Sequence, residues 1–428
     1  MKRYSLLLAT LFLLVTALSP VAAAGDSLAL RATYRVQAAL DHGDGTLLVR
    51  SDALVTNPTS GSISSIVFNL APARIGALDL RAVKVDGLNA SAVVRDQSVV
   101  VRLPGSLAPE ASTTVRIRYT ARFGDHGEDK QWLFAKLKGV ITAYRWIPWL
   151  SREVAFDRDN IGDPFVTPSS SRVEVTIKSE RSLSYATSGL RTSVSADGLT
   201  QTFLARDVRD FNLAAHPSYR ISRSWAGDTK LVAYTRTLDP APLLRWGKRA
   251  IAHYEKYVGP YRWPRMAIAE SGRSAMESPA MIWIARDTPS WNIPYLVAHE
   301  TAHQWFYGAV GNDQTSQPFA DEAPTDFLAR HLLDARRAPR SCAGNLLDRT
   351  IYEYGTPCYY ETIYIVGGNY IDDLRKRAGN DAFWAALRSY YSRYSHEMGS
   401  TTALLDAIDA AIAEDLTTHY AKRFPRYY

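Results

Sequence analysis

The chain has 428 residues, of which 46% are hydrophobic and 22% charged, so it can form two or three globular domains with a sizeable core. Lys and Arg number 50 against 43 Asp and Glu, which gives a net charge of +7. The basic residues are scattered without a long run, and this pattern argues against a nucleic-acid-binding protein.

Residues 1–24 have the pattern of a secretory signal peptide. Lys2 and Arg3 precede an apolar run over residues 6–18, and the small residues at 21–24 are suitable for cleavage. The run is shorter than the roughly 18 residues of a transmembrane helix, and an uncleaved anchor is the alternative. We therefore expect an exported protein that is secreted, periplasmic or at the cell surface, without stable membrane insertion after signal removal.

Residues 25–225 predict an N-terminal all-β domain, a sandwich or saddle. Apolar and polar residues alternate along residues 47–55, 98–103, 114–120 and 171–178, as they do in half-buried strands. Turn residues such as Asp-Gly and Pro-Gly separate these runs at short intervals. Short strands at such spacing are typical of a sandwich.

Residues 226–428 predict a second, α+β domain. Residues 240–258 have helical periodicity, and residues 265–269 and 281–284 have the composition of short buried strands. From Asn292 onward nearly the whole chain has a helical pattern. A small sheet followed by helices is typical of the α+β class.

One predicted helix in this second part contains the sequence His299-Glu-Thr-Ala-His303. Residues four apart share a helix face, so the two imidazoles are directed at one point, as a Zn²⁺ site requires. Glu300 can act as base for a metal-bound water. Glu322, nineteen positions after His303, is a third candidate ligand and leaves the fourth tetrahedral position open for water. The alternative is a buried helix whose histidines only satisfy polar groups of the core.

These residues resemble the signature of the M1 (aminopeptidase N-like) zinc metallopeptidases of the gluzincin clan. Residues 304–308, Gln-Trp-Phe-Tyr-Gly, are similar to the family's H-Q-W-F-G, and residues 319–323, Phe-Ala-Asp-Glu-Ala, to its W-L-N-E-G. The resemblance is clearest over residues 261–424. It implies a saddle-like β domain followed by a thermolysin-like catalytic domain, in a short form that lacks the family's C-terminal helical domain.

Residues 274–278, Ser-Ala-Met-Glu-Ser, resemble the family's exopeptidase motif G-x-M-E-N, with Ser in place of Gly and of Asn. This resemblance makes Ala275, Met276 and Glu277 candidate substrate-binding residues, because the family's Glu binds the α-amino group of the substrate. Glu270 is a second candidate for that amine. The alternative for Glu277 is an ordinary loop carboxylate.

Residues 360–368 resemble the family's Y-x-K-G element, although the family's Lys is Val366 here. The register of the resemblance selects Tyr364 rather than Tyr360, Tyr359 or Tyr370. A phenol in this position can donate a hydrogen bond to the oxyanion of a tetrahedral intermediate.

Asp326 lies one helical turn after Glu322. We expect it either to accept a hydrogen bond from a ligand histidine or to be a carboxylate in the first turn of a helix, where negative charge is favourable.

The chain has two cysteines, Cys342 and Cys358. In an exported protein we expect them to form a disulfide, whereas two free thiols would be expected in the cytosol.

The pattern as a whole predicts an exported zinc metallopeptidase with one Zn²⁺ per chain. The expected activity is that of an aminopeptidase acting on peptides with a free N-terminus. Two alternatives stay open, namely a zinc endopeptidase with an open cleft and a non-catalytic binding module that retains the fold.

Overall fold

The computed structural model describes residues 26–124, 134–153, 163–339, 344–355 and 358–428. The predicted signal segment, residues 1–24, lies outside these described residues. The strands are β1 Arg31–Asp41, β2 Thr46–Thr56, β3 Ile63–Asn69, β4 Leu78–Val85, β5 Leu88–Asn89, β6 Ala92–Arg95, β7 Ser98–Leu107, β8 Ser112–Arg122, β9 Phe134–Leu137, β10 Val140–Ala143, β11 Trp149–Leu150, β12 Val173–Ser179, β13 Ser184–Thr187, β14 Leu190–Val194, β15 Thr200–Ala205, β16 Leu213–His216, β17 Arg220–Ala226, β18 Thr229–Thr235, β19 Arg265–Ser271, β20 Met276–Ser278 and β21 Met281–Ala285. The α-helices are α1 Ala71–Arg74, α2 Pro240–Tyr257, α3 Ile293–Ala302, α4 Phe319–Leu333, α5 Gly367–Ala378, α6 Asn380–Tyr394, α7 Thr401–Asp409 and α8 Thr417–Ala421, and residues Tyr360–Val366 form a π-helix.

The largest sheet has eight strands in the order β14-β15-β12-β1-β2-β8-β4-β5. Neighbouring strands are antiparallel except β1 and β12, which are parallel. Buried and solvent-facing residues alternate along β1, β2 and β8 because successive side chains of a strand point to opposite faces. The strands predicted at 47–55 and 114–120 are therefore present, within β2 and β8.

Two four-stranded sheets, in the orders β13-β16-β10-β9 and β11-β3-β7-β6, complete the β-rich part. The inward residues of the large sheet, such as Val36 and Ile117, share one buried cluster with Phe68 of β3 and Val99 of β7. Two sheet faces that bury their apolar residues against each other form a sandwich core.

The fourth sheet has the order β17-β18-β19-β21-β20. Its three central strands, β18, β19 and β21, are parallel, and the two edge strands are antiparallel to their neighbours. Helix α2 connects β18 to β19, as a parallel pair requires. Asp239 caps this helix by accepting a hydrogen bond from Ala241 N.

Helix α3, which contains the first histidine of the motif, is packed between α2, α4 and the strands β20 and β21. Val297, Ala298, Thr301 and Ala302 are all fully buried. A helix that is buried on nearly all sides lies inside a core rather than on a surface.

Arg209 joins the β-rich part to the segment that follows the motif. Its buried guanidinium donates hydrogen bonds to four main-chain carbonyls, those of Thr167, Gly308, Ala309 and Glu397. Burial lowers the pKa of Arg209 to about 10. A Cβ at Gly311 would lie 1.9 Å from Arg209 Nη1, so a side chain at that position would displace the guanidinium.

The described residues confirm the predicted fold class, a β-rich N-terminal part followed by an α+β part. The fourth sheet begins at Arg220, a few residues before 226, and the predicted domain boundary stays a prediction. Among the described residues, no helix combines the length and hydropathy of a transmembrane span.

Candidate metal centre

Three side chains from two helices converge on one point. His299 lies in the last turn of α3, and His303 follows as the residue that caps this helix. Glu322 lies in the first turn of α4, which packs directly against α3. All three residues are buried.

The spacing of the three side chains fits a tetrahedral metal ion. His299 Nε2 lies 3.3 Å from His303 Nε2 and 3.3 Å from Glu322 Oε2, and the third distance, from His303 Nε2 to Glu322 Oε2, is 3.4 Å. Ligands bound to Zn²⁺ at about 2.0–2.1 Å in a tetrahedron lie about 3.3–3.4 Å apart. Glu322 Oε2 is buried without a hydrogen-bond partner among the described residues, as expected of an atom that binds a metal. The donor set therefore fits Zn²⁺.

The charges around this point also favour a cation. Glu277, Glu300, Asp321 and Glu322 are all buried beside the two imidazoles. Burial raises the pKa of Glu277 to about 8, and burial together with Glu277 raises the pKa of Glu300 well above its usual range. Burial by itself lowers the pKa of His303, but the surrounding carboxylates, Asp321 foremost, outweigh it and raise that pKa. A divalent cation supplies the positive charge that these groups lack.

Asp321 orients one of the histidines. Its Oδ1 lies 3.0 Å from His303 Nδ1, which also lies 3.1 Å from the carbonyl oxygen of Phe306. Two acceptors at Nδ1 place the ring proton there and leave the lone pair on Nε2, the atom that faces the metal position. Gln314 Nε2 donates to the other oxygen of Asp321 at 2.6 Å.

Asp326 has a different role from the one predicted. Its carboxylate forms a two-point ion pair with Arg330, at 2.6 and 3.1 Å, and accepts a hydrogen bond from Tyr295 at 2.6 Å. The described residues thus place Asp321, not Asp326, against a candidate ligand histidine. Because α4 begins at Phe319, Asp326 is also not in its first turn.

His299 is held mainly by aromatic rings. Its ring is stacked on Tyr364, with centroids 5.4 Å apart and planes 19° apart, and Tyr295 lies on another side at 5.6 Å. Its Nδ1 has no hydrogen-bond partner among the described residues. Asp326 therefore acts on His299 only through Tyr295.

Tyr364 is the tyrosine that forms a hydrogen bond with a candidate metal ligand. It lies on the π-helix, a rare conformation that is frequent at functional sites, and its hydroxyl donates to Glu322 Oε1 at 2.6 Å. Tyr360, on the same π-helix, instead accepts a hydrogen bond from Arg337 at 2.7 Å. The structure thus brings Tyr364 to the site, whereas Tyr360 has a separate partner.

Glu277 lies on β20, at the edge of the fourth sheet. One ligand atom each from Glu277, Glu300 and His303 lies within 4.8 Å of the others. Ala275 directly precedes β20, and Met276, which is half-buried, is its first residue. The candidate amine-binding residue is therefore next to the candidate base.

Ser278, which stands where the resembled motif has Asn, does not leave this strand unsupported. Ser278 Oγ accepts a hydrogen bond from Asn212 at 2.9 Å and lies 3.0 Å from Ser188 Oγ. Gln304, directly after the motif, donates to Ser278 O at 2.9 Å and accepts from Ala280 N at 2.8 Å. The strand is thus tied both to the β-rich part and to the residue that follows the end of α3.

The Glu270 carboxylate is hydrogen-bonded to the segment over residues 236–238. Its Oε2 accepts hydrogen bonds from the main-chain N–H groups of Arg236, Thr237 and Leu238, at 2.7, 2.7 and 2.8 Å. Its Oε1 accepts from the hydroxyl of Thr237 at 2.8 Å. The carboxylate holds the segment after β18, so of the two candidates for the substrate amine, Glu270 is not available.

Cys342 lies outside the described residues. Among the described residues there is no free cysteine, and the disulfide between Cys342 and Cys358 stays a prediction.

Comparison with known proteins gives a match of structure only. No family profile matches the chain, and neither does any curated protein sequence. An M1 zinc metallopeptidase of Deinococcus radiodurans superimposes with a TM-score of 0.66 at 19% identity, over 91% of this chain and 93% of that chain. A variant of it bound to a Tyr-Ser-Ala substrate gives 0.67 at 18% identity, over 94% and 98%. A two-domain M1 zinc metallopeptidase variant bound to L-arginine gives 0.66 at 18%, over 91% and 94%.

The fold is that of the M1 zinc metallopeptidases.

Sequence reasoning missed Asp321, Gln314 and Tyr295. Asp321 could have been noticed as a carboxylate adjacent to a proposed ligand, because metal-bound histidines commonly donate their other ring N–H to a carboxylate. Gln314 lies in the connection between α3 and α4, and Tyr295 precedes the motif on α3 without any distinctive spacing. Only the packing of the helices shows their contacts.

Proposed function

We propose that the protein is an exported zinc aminopeptidase that removes single residues from free N-termini. It binds one Zn²⁺ per chain through His299, His303 and Glu322. The near-equilateral triangle of their ligand atoms supports the metal. The fold supports the reaction class, since solved structures of this fold are M1 zinc metallopeptidases, one of them with a peptide substrate bound.

The observation that favours removal of single residues is the short distance between Glu277 and Glu300, whose carboxylates lie within 4.8 Å of each other. In a peptide, the N-terminal nitrogen is separated from the first carbonyl carbon by two bonds, about 1.46 and 1.52 Å long. A carboxylate that holds the ammonium at hydrogen-bond distance must therefore lie about 5 Å from the reacting carbon. Glu277 meets that condition if Glu300 stands beside the reacting carbon.

The remaining residues have separate tasks in this reaction. Zn²⁺, when bound, polarises the scissile carbonyl and lowers the pKa of the attacking water. Glu300 removes a proton from that water and returns it to the leaving amine. Tyr364 donates its hydroxyl proton in a hydrogen bond to the developing oxyanion. To do so it leaves its hydrogen bond with Glu322.

The edge position of β20 suits an extended substrate. An edge strand has main-chain N–H and C=O groups on one side that no other strand of its sheet pairs. A peptide can pair with such an edge as an additional strand. Ala275 and Met276 would then contact the substrate backbone, while Glu277 binds its ammonium.

The proposal is tested with pairs of peptides that differ only in N-terminal acetylation. We expect the free peptide to be cleaved one residue at a time and the blocked one far more slowly, because acetylation leaves the Glu277 carboxylate buried without a cation. Glu277→Gln keeps the size of the side chain but removes its charge. It should reduce the preference for free peptides by about 30-fold or more, since loss of one partner of a buried charge pair typically costs 2–5 kcal/mol.

Glu270→Gln is the matched control, because Glu270 is also a buried carboxylate on the same sheet and was the second candidate for the amine. This variant should be less stable, since an amide nitrogen then faces N–H donors. Its preference for free over acetylated peptides should equal that of the wild type. Equal rates on free and acetylated peptides, with internal cleavage products, would instead establish the endopeptidase alternative.

Metal analysis tests the zinc site separately. We expect about one Zn²⁺ per purified chain. His303→Ala should remove both metal and activity, because a site with two remaining ligands binds zinc poorly. Normal activity after exhaustive chelation would exclude zinc catalysis.

A further inference from the structure

A second charged site lies on the outer face of the eight-stranded sheet. The register of the strands places Arg50 of β2 directly opposite Arg118 of β8. In the next row, Arg116 of β8 lies between Asp52 of β2 and Lys84 of β4. Like charges directly opposite each other destabilise a sheet, so the facing Arg50 and Arg118 do not stabilise the pairing of β2 with β8.

These side chains line a half-open cavity of about 500 Å³ on the surface of the sheet. The space exists because two small residues, Ala39 and Ala82, stand among the long side chains. Strand β4 is also irregular at this point, with a shift of register between Leu80 and Ala82. A bulge of this kind changes the direction of neighbouring side chains. None of the residues of the candidate metal centre lines the cavity.

The cavity has an excess of three positive charges, because Asp52 is the only described carboxylate that pairs with its four cationic residues. Asp52 binds Arg116 at two points, 2.5 and 3.1 Å, and Arg50 at 3.0 Å. These contacts fix two guanidinium groups in place. Arg118 and Lys84 form no ion pair with any described residue. Two cations are thus held in position and two are free to bind a ligand.

We propose that this cavity binds a phosphate group carried by a small molecule or a lipid head group. A phosphate monoester has several acceptor oxygens and about two negative charges, which match the planar donor groups of several arginines better than a single carboxylate does. The volume exceeds that of phosphate alone and falls in the usual range of ligand pockets. Leu48, Ala39 and Ala82 provide an apolar wall for the rest of the ligand.

The test compares two double variants of the full-length, zinc-loaded protein. Lys84→Ala with Arg118→Ala removes the two unpaired cations of the cavity without breaking an ion pair. The control, Arg31→Ala with Arg223→Ala, removes the same charge from exposed strand arginines outside the cavity. Binding is measured by calorimetry with inorganic phosphate, and by co-sedimentation with phosphatidylcholine vesicles that contain or lack phosphatidic acid.

We expect the wild type and the control to bind the phosphate probe with equal affinity, and the cavity variant to bind it at least about tenfold more weakly. The affinity should fall as the salt concentration rises. Phosphate that binds at the metal contributes the same signal in all three proteins, so the differences between them do not include it. Binding of free phosphate indicates a soluble ligand, and binding only to phosphatidic-acid vesicles indicates a lipid head group. If neither probe binds, or if the cavity variant and the control bind equally, the proposal is wrong.

Discussion

A substitution of Asp321 tests most directly how helix α4 supports the proposed metal site. Asp321→Asn keeps the size of a side chain that is 1% exposed but removes its charge. The amide oxygen can still accept from His303 Nδ1. Its nitrogen then faces Gln314 Nε2, which lies 2.6 Å from the present oxygen and is also a donor. One of the two hydrogen bonds must therefore be lost, and the imidazole loses an anionic partner.

Loss of such a partner typically lowers metal affinity about 10–100-fold, which corresponds to about 1.4–2.7 kcal/mol. The assay is competition for Zn²⁺ with a chromophoric chelator, together with thermal unfolding of the metal-free protein. We expect the zinc dissociation constant of Asp321→Asn to rise within that range.

Asp326→Asn is the matched control, since it is the same change on the same helix. Asp326 pairs with Arg330, whose side chain is 7% exposed, so the variant should unfold at lower temperature. Its zinc affinity should change little, because Asp326 reaches His299 only through Tyr295. The reasoning is refuted if Asp326→Asn weakens zinc binding more than Asp321→Asn does.

Three further predictions concern the chemistry and the cysteines. Glu300→Gln should retain zinc by metal analysis yet lose about 10²–10⁴-fold in kcat, because an amide cannot accept the proton of the attacking water. Tyr364→Phe should lose about 10²–10³-fold in kcat with zinc retained, whereas Tyr360→Phe should keep nearly full activity; the reverse order would transfer the role to Tyr360. Cys342 and Cys358 should give no free thiol on titration under denaturing, non-reducing conditions, and reduction should lower stability by roughly 3 kcal/mol, the value for a closed loop of about this length. Two titratable thiols would contradict the pairing.

Much of the local structure follows from sequence periodicity. The helical pattern over residues 240–258 corresponds to α2, Pro240–Tyr257, and the pattern over 171–178 to β12, Val173–Ser179. These predictions succeed because a strand repeats every two residues and a helix every 3.6, and each buries one face. The i, i+4 spacing of His299 and His303 is set in the same local way.

The choice among carboxylates could not be made from the sequence. Glu270 and Glu277 were both candidates for the substrate amine, and the fold turns Glu270 toward three main-chain N–H groups and leaves Glu277 beside Glu300. The partners of each carboxylate depend on which segment packs above its strand. No pattern of residues close in sequence predicts these partners.

The sequence alone determined the elements with strong periodicity and the two histidines of the motif, because those relations act within one helix or strand. It also indicated Glu322, through its distance from His303 and a family resemblance. Only the tertiary structure decided that Asp321 rather than Asp326 orients His303. It alone showed that β2, β4 and β8 gather their cations around one cavity. Both are contacts between elements distant in sequence, and helix packing and strand register set their geometry.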